Sequence, residues 1–364
     1  MRLEQLTFTR FIAAIAIVIY HFGADVFPFN HVLLASIFRS SYAGVSYFYV
    51  LSGFVMIIAY SKRAGQGIDK LQFYKNRFAR VYPVYFLALL LIIAFYIIDK
   101  RFFTGTEIGL SVFALQAWIP PYPLSLNTPA WSLSVEILFY ILFPFLFDKV
   151  YHTISLKKVT VFVFIFWIIT QVLFNTLLFS SYYKEYPSTS HDLLFYFPIM
   201  HLSSFLAGNV AGLYFVKRVN QPKKKNGFLI LLLVLILITI YNLKIPVNFQ
   251  DGALAIIFVP FIYCLSLNQG FTSRICRLKL FIFLGEISYG IYILQKPVFK
   301  FGREYIGQVG ITNTDTQFYC ITLILILLSA VSFVYIETPL RKRIKKIGQQ
   351  SISLPAILNK KRIE

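Results

Sequence analysis

Ten apolar runs, each close to the ~20 residues that an α-helix needs to cross a bilayer, constrain this 364-residue chain more than any other feature. Because a bilayer offers no water to backbone polar groups, such runs must satisfy those groups within helices. Hydrophobic residues make up 58% of the sequence and mean hydropathy is +0.69, which excludes an ordinary soluble protein. We therefore predict an all-α, polytopic membrane helix bundle with about ten transmembrane helices, near residues 6–23, 41–60, 81–98, 131–147, 159–180, 193–216, 227–243, 252–269, 279–294 and 317–337.

The basic residues are distributed unequally between the two sides of this predicted bundle. The chain has 35 Lys and Arg against 15 Asp and Glu, a formal net charge of +20. With the loops on alternate sides, 26 of these cations share the side of both termini, eight lie opposite, and Arg10 lies inside the first run. Because positively charged loops stay in the cytoplasm, both termini are predicted to be cytoplasmic. The positive charge is then a belt facing anionic membrane lipids, and no nucleic-acid partner is expected.

Connections between the apolar runs are short, the longest being the roughly 30-residue external loop 99–130. We expect residues 1–340 to form one membrane domain and residues 341–364 a basic cytoplasmic tail, with no appended soluble domain. Three Cys are too few for a disulfide scaffold, and no metal site is predicted. The spacing of Gly208 and Gly212 predicts close helix packing, and Glu337 is expected to pair with a nearby Arg.

The first predicted helix carries two residues that are costly inside a membrane. Arg10 and His21 are eleven positions apart, or ~1100° at ~100° per residue, within about 20° of three full turns. They therefore share one helix face, ~16 Å apart along the axis, with Arg10 in the inner half and His21 near the outer end. A charge at the bilayer centre costs roughly 2.5–3.5 kcal/mol, so such residues usually face a cavity. The alternative is that Arg10 extends to lipid headgroups and His21 is merely interfacial.

Glu136 lies about one and a half turns inside the fourth predicted helix, counted from its outer end. Ser132 and Tyr140 share its face at i−4 and i+4. This depth places Glu136 in the same outer third of the membrane as His21, and a carboxyl beside an imidazole can hold or steer a proton. The alternative is a protonated, structural Glu136 that is satisfied by the Ser or Tyr hydroxyl.

Two further motifs place polar side chains at or in the membrane. Arg77 and Arg80 stand just before the third predicted helix with i, i+3 spacing, and guanidinium groups suit phosphate oxygens; their alternative role is ordinary positive flanking. Ser288, Tyr292 and Gln295 form a polar stripe along the ninth predicted helix. Such a stripe either lines a cavity or bonds to neighbouring helices.

The ordered set of motifs resembles the acyltransferase-3 family of bacterial integral-membrane acyltransferases. Each motif alone is weak, but their order along ten predicted helices is specific. One position departs from the pattern, because Gln295 stands where members of the family often carry His. The matching motifs are Arg10-x10-His21, Phe48–Phe54, Arg77-x-x-Arg80, Trp131-Ser-Leu-Ser-Val-Glu136 with Phe139-Tyr140, Ile287-Ser-Tyr289 with Ile291-Tyr292, and Glu337-x-Pro339.

This resemblance implies a membrane-bound O-acyltransferase of the bacterial inner membrane, most often an O-acetyltransferase. It would move an acyl group from cytoplasmic acyl-CoA, the donor substrate, to a hydroxyl of an envelope glycan or lipid-linked sugar. His21 would act as general base on that hydroxyl, and Glu136 would orient it or balance its charge. Arg77 and Arg80 would hold the CoA phosphates, with Arg10 further along the path. The remaining candidates, expected to line the cavity, are Ser52, Trp131, Tyr140, Ser288, Tyr289 and Tyr292.

Two other classes of protein also suit a helix bundle with buried charges. A transporter of polysaccharide or lipid-linked sugar is one, although the sequence lacks paired Gly- or Pro-broken helices in two corresponding halves. A scaffold for polysaccharide synthesis is the other, in which buried polar residues only join helices. Release of free CoA would distinguish the enzyme from the transporter, and replacing His21 would leave a scaffold intact.

Overall fold

The chain folds into helices joined by short connections. The computed structural model describes residues 3–61, 67–218, 225–243 and 248–346, and within these ranges no strand occurs, as an all-α protein requires. The helices are α1 (Gln5–Phe22), α2 (Val32–Arg39), α3 (Gly44–Tyr60), α4 (Lys70–Ile98), α5 (Gly105–Val112), α6 (Trp131–Phe145), α7 (Leu156–Leu178), α8 (Thr189–Phe195), α9 (Leu202–Arg218), α10 (Gly227–Asn242), α11 (Ala255–Leu267), α12 (Phe271–Cys276), α13 (Lys279–Ile306), α14 (Thr314–Ser332) and α15 (Thr338–Lys346).

Seven helical segments in the described part of the chain are long and apolar enough to cross a membrane: Gln5–Phe22, Val32–Tyr60, Lys70–Ile98, Thr128–Tyr151, Leu156–Leu178, Thr189–Arg218 and Thr314–Lys346. The other three predicted spans differ from these. Helices α10 and α11 have 16 and 13 residues, or about 24 and 20 Å of the ~30 Å hydrocarbon core. Helix α13 has 28 residues, but polar and charged side chains interrupt it. The protein is thus a multi-pass helical membrane protein, while ten spans and cytoplasmic termini stay predictions.

Two boundaries in the structure differ from those predicted: the start of α4 and the end of the last helical segment. Helix α4 begins at Lys70 rather than near residue 81, because the Asp69 carboxylate accepts a hydrogen bond from the Gln72 backbone N–H at 3.0 Å and caps the helix. Arg77 and Arg80 are therefore inside this helix and not before it. At the other end, the helical chain continues past the predicted boundary at residue 340 to Lys346. The rest of the predicted tail lies outside the described residues.

Two helix pairs cross with their backbones in contact, and each crossing requires a glycine. A Cβ on Gly208 of α9 would lie 2.0 Å from the carbonyl oxygen of Val50 in α3. The predicted close packing at Gly208 is thus confirmed. A Cβ on Gly285 of α13 would likewise lie 2.0 Å from the carbonyl oxygen of Thr7 in α1. No side chain larger than hydrogen fits at either position.

Helices α1 and α13 run side by side in the same direction. Near the start of both helices the rings of Phe8 and Phe281 stack with centroids 4.2 Å apart. Further along, the rings of Phe22 and Phe299 stack at 4.0 Å. These two contacts and the Gly285 crossing fix the register of α1 against α13. The register in turn decides which residues of α13 lie beside the last turn of α1.

Pro297 leaves one backbone carbonyl of α13 without its helical hydrogen bond, and a side chain from the segment before α6 donates to that carbonyl. Because proline has no N–H, the carbonyl of Ile293 loses its donor four residues on. The Asn127 side-chain amide donates to that carbonyl at 3.0 Å. One turn further, the Lys296 ammonium donates to the Thr128 hydroxyl at 2.5 Å. The start of α6 is thereby held against the middle of α13.

Candidate functional site

A cavity of about 560 Å³ lies between α1, α3, α4, α6, α13 and α15. This volume is within the ~300–1,000 Å³ of small-molecule sites. Its wall extends from Leu3 and Lys345, near the termini, to Ser132 and Tyr292 at the far end. Nine of the eleven candidate site residues line it: Arg10, Ser52, Arg77, Arg80, Glu136, Tyr140, Ser288, Tyr289 and Tyr292.

The cavity wall carries an excess of positive charge. Because a low-dielectric recess strengthens Coulomb interactions, this excess suits a ligand with several negative charges. Within the described ranges, no group of three His, Cys, Asp or Glu side chains could hold a metal ion. The charged residues are the cations Arg10, Arg77, Arg80, Arg341 and Lys345 and the carboxylates Glu136, Glu286 and Glu337.

Arg77 and Arg80 present guanidinium groups to the cavity one helical turn apart. The Arg77 guanidinium carbon lies 5.6 Å from the centroid of the Phe73 ring, a cation–π contact that restrains its orientation. Its Nε is buried without a hydrogen-bond partner. Because a buried donor without a partner is costly, Arg77 is prepared to bind an oxygen acceptor from a ligand.

Glu136 is hydrogen bonded within its own helix. The Tyr140 hydroxyl donates to Glu136 Oε2, and both side chains share the cavity wall with Arg10 and Arg80. His21 is not on this wall. The predicted juxtaposition of Glu136 and His21 is thus not found among the described residues, since a similar depth on two helices does not imply that their side chains meet.

His21 lies in the last turn of α1 and does not line the cavity. Its Nδ1 is 2.8 Å from Gln295 Oε1, and Gln295 Nε2 donates to the carbonyl oxygen of Tyr292 at 2.7 Å. The Tyr292 hydroxyl lines the cavity and donates to Ser132 Oγ at 2.8 Å. Arg10 therefore faces the cavity, while Gln295 and Tyr292 separate His21 from it.

Trp131, which the sequence predicted to line the cavity, instead packs into the aromatic core. Its ring centroid is 5.1 Å from that of Tyr196 and 5.2 Å from that of His201. Only 7% of Trp131 is exposed. Trp131 thus anchors the start of α6 against neighbouring helices.

Three residues of the last helical segment reach the cavity at four-residue spacing: Glu337, Arg341 and Lys345. The expected ion pair of Glu337 with an Arg is not found among the described residues, where Glu337 Oε1 has no hydrogen-bond partner. The i, i+4 period was visible in the sequence and indicates one helix face. A boundary drawn at residue 340 hid this period by assigning the two cations to a tail.

Comparison with known proteins gives one family and several distant relatives. A family model described as an acyltransferase domain matches residues 3–335. Acyltransferase MdmB of Streptomyces mycarofaciens is 24% identical, over 84% of this chain and 81% of its own length. A putative acetyltransferase of Acidianus two-tailed virus is 26% identical, over 85% of each chain. O-acetyltransferase OatA of Staphylococcus aureus is 23% identical over 92% of this chain, which spans 56% of that protein. No solved structure matches.

Proposed function

The chain belongs to the acyltransferase-3 family and is an acyltransferase, and from that premise we propose that it is an O-acetyltransferase of the bacterial inner membrane. It takes the acetyl group from cytoplasmic acetyl-CoA and places it on a hydroxyl of an envelope glycan or lipid-linked sugar. The relative OatA is an O-acetyltransferase, which supports acetyl as the group and a hydroxyl oxygen as the acceptor atom. The positive loops support anionic lipids as its surroundings.

One observation carries the choice of donor: a recess of ligand size with two more cations than carboxylates on its wall. Coenzyme A is a polyanion with a long, uncharged pantetheine arm. Arg77, Arg80, Arg341 and Lys345 would hold its phosphates at the end nearest the chain termini. The arm would then extend past Arg10 and place the thioester toward Ser132 and Tyr292.

The reaction requires a general base for the acceptor hydroxyl. In this proposal that base is His21, which lies beyond the Tyr292 end of the cavity. His21 takes the proton of the acceptor hydroxyl as the hydroxyl oxygen attacks the thioester carbonyl. When the tetrahedral intermediate collapses, the C–S bond breaks and the ester remains on the sugar. His21 releases the proton that it took, and CoA leaves as the thiol, so that one proton is lost by the hydroxyl and one is gained by the sulfur. A positioned base contributes ~10²–10⁴-fold to such a step.

Glu136 has a different role in this proposal from the one expected from sequence. Its carboxylate shares the wall with Arg10 and Arg80 and accepts from Tyr140. There it balances the arginines and limits how tightly the polyanionic product CoA is held. It does not contact His21 in the ground state described by the structure.

The test uses the purified protein in lipid nanodiscs with [14C]acetyl-CoA and p-nitrophenyl glycosides of glucose, galactose, rhamnose and N-acetylglucosamine. The proposal requires labelled acetyl-glycoside and an equal amount of free CoA, measured with a thiol reagent. A parallel experiment in proteoliposomes measures glycoside flux. Flux without release of CoA would replace the enzyme by the transporter.

A further inference from the structure

Gln295 lies between His21 and the backbone of its own helix and is fully buried. Its amide makes two hydrogen bonds, Nε2 to the Tyr292 carbonyl at 2.7 Å and Oε1 to His21 Nδ1 at 2.8 Å. Neither atom lies on the wall of the cavity. The side chain is therefore a link between helices rather than part of the donor site.

The Tyr292 carbonyl decides which way this amide points. A carbonyl oxygen only accepts, so the end of Gln295 that faces it must be the NH₂ group. The other end, the amide oxygen, then faces His21, and it also only accepts. Consequently His21 Nδ1 must be the protonated nitrogen, and the lone pair of a neutral imidazole is on Nε2.

We propose that Gln295 is a positioning residue that keeps His21 in the Nδ1–H tautomer, so that Nε2 accepts the proton of the sugar hydroxyl. This inference rests on the proposed function, because it assigns a tautomer to the base of that reaction. An imidazole in the other tautomer would present an N–H to the acceptor and could not act as base. Because the Gln295 amide is itself hydrogen bonded to the Tyr292 carbonyl, it holds one orientation.

The charged groups around His21 favour a neutral partner of this kind. Lys296 follows Gln295 in α13 and donates to Thr128 at 2.5 Å. Arg303, on the same helix, donates to the Phe22 carbonyl at 3.4 Å. On its own helix the rings beside His21 are those of Tyr20 and Phe22, with centroids 5.1 and 5.9 Å away. These neighbours are cationic or neutral, and Gln295 orients the ring without adding the negative charge that would favour an imidazolium.

The experiment compares Gln295→Met, which removes both hydrogen bonds at similar volume, with Gln295→Glu, which keeps an acceptor for Nδ1–H but adds charge. Gln308→Met is the matched control, since the exposed Gln308 amide also donates to a backbone carbonyl, that of Glu304, at 3.3 Å. For each variant, acetyl-CoA Kd and the pH profile of kcat for acetyl transfer to the p-nitrophenyl glycosides are measured.

Gln295→Met should lose at least tenfold in kcat, and less than the ~10²–10⁴-fold that loss of the base costs, with acetyl-CoA Kd unchanged. Gln295→Glu should recover part of that kcat, and its acidic limb should move up by about one pH unit or more, because a carboxylate favours the imidazolium. If Gln295→Met keeps kcat within threefold of the wild type, or Gln295→Glu leaves the acidic limb in place, the proposal is overturned.

Failure of the proposed function gives a different result. If the wild type releases no CoA, or His21→Ala transfers acetyl at the wild-type rate, the base itself is wrong and the role of Gln295 falls with it. If His21→Ala is inactive while both Gln295 variants behave like the wild type, only the positioning role is refuted. Intact acetyl-CoA binding shows that an inactive variant is folded.

Discussion

Replacing Arg80 by Ala measures how the cavity holds its anionic ligand. A hydrogen bond to a charged group contributes ~1.5–3 kcal/mol, and 1.4 kcal/mol is a factor of ten in affinity, so acetyl-CoA Kd should rise about 10- to 150-fold. Arg80 is partly buried on the wall of a recess, so solvent screens it less than a surface charge. The control is Arg39→Ala, whose side chain is 64% exposed in an ion pair with Asp25. Its effect on Kd should stay below about fivefold.

The assay is titration calorimetry of the protein in nanodiscs with acetyl-CoA and with 3′-dephospho-CoA, at low and high salt. If Arg80 or Arg77 contacts the 3′-phosphate, the preference of the wild type for acetyl-CoA over the dephospho compound should shrink in the matching Ala variant. The salt dependence of Kd should also weaken as each cation is removed. Should Arg77→Ala and Arg80→Ala both bind acetyl-CoA within twofold of the wild type, the cavity is not the phosphate site.

Three further outcomes follow from the structure. Gly285→Ala should lower the thermal unfolding midpoint and reduce the free energy of unfolding by roughly 1–3 kcal/mol, because its Cβ would lie 2.0 Å from the Thr7 carbonyl oxygen. Gly307→Ala is the control and should leave the midpoint unchanged, because the space around Gly307 is open. Glu136→Gln should bind acetyl-CoA at least as tightly as the wild type in calorimetry, since a carboxylate that repels the phosphates is gone. Acetyl transfer should slow, because the product CoA is then held more tightly. Weaker binding of acetyl-CoA would contradict the role of Glu136 in balancing the arginines. Burial raises the pKa of Asp251, in a loop, from 3.8 to about 7, so the native protein keeps a proton that the unfolded chain loses. Stability should therefore fall between about pH 4 and 7, by up to ~1.4 kcal/mol per pH unit, and level off above, and Asp251→Asn should remove this slope in thermal unfolding from pH 5 to 8.

Apolar runs predicted the helical class, and motif order singled out nine of the eleven candidate residues as ones that do line the cavity. Runs of about twenty apolar residues indicate helices directly, and an Arg inside such a run implies a cavity because lipid does not tolerate it. Arg10 was found by this reasoning, and Arg77 and Arg80 were found by their i, i+3 spacing at a predicted membrane boundary. All three line the same cavity. The sequence of a single helix was sufficient to find these arginines, because a charge buried in the membrane is costly whichever neighbouring helix it faces.

Partners on other helices were beyond sequence reasoning. His21 and Arg10 share a face of α1, yet one side chain meets Gln295 while the other faces the cavity, because the crossing at Gly285 sets which part of α13 lies opposite each. Helix depth likewise suggested a contact between His21 and Glu136 that the packing does not make. Register between helices arises from long-range packing, which the period of one helix does not encode.

The most direct test of the account separates donor binding from chemistry in His21→Ala. Acetyl-CoA Kd is measured by calorimetry, and labelled acetyl transfer to the glycosides is measured on the same nanodisc preparation. We expect a Kd like that of the wild type, because His21 is outside the cavity, together with a loss of transfer of ~10²–10⁴-fold. Transfer at the wild-type rate, or loss of acetyl-CoA binding together with transfer, would contradict it.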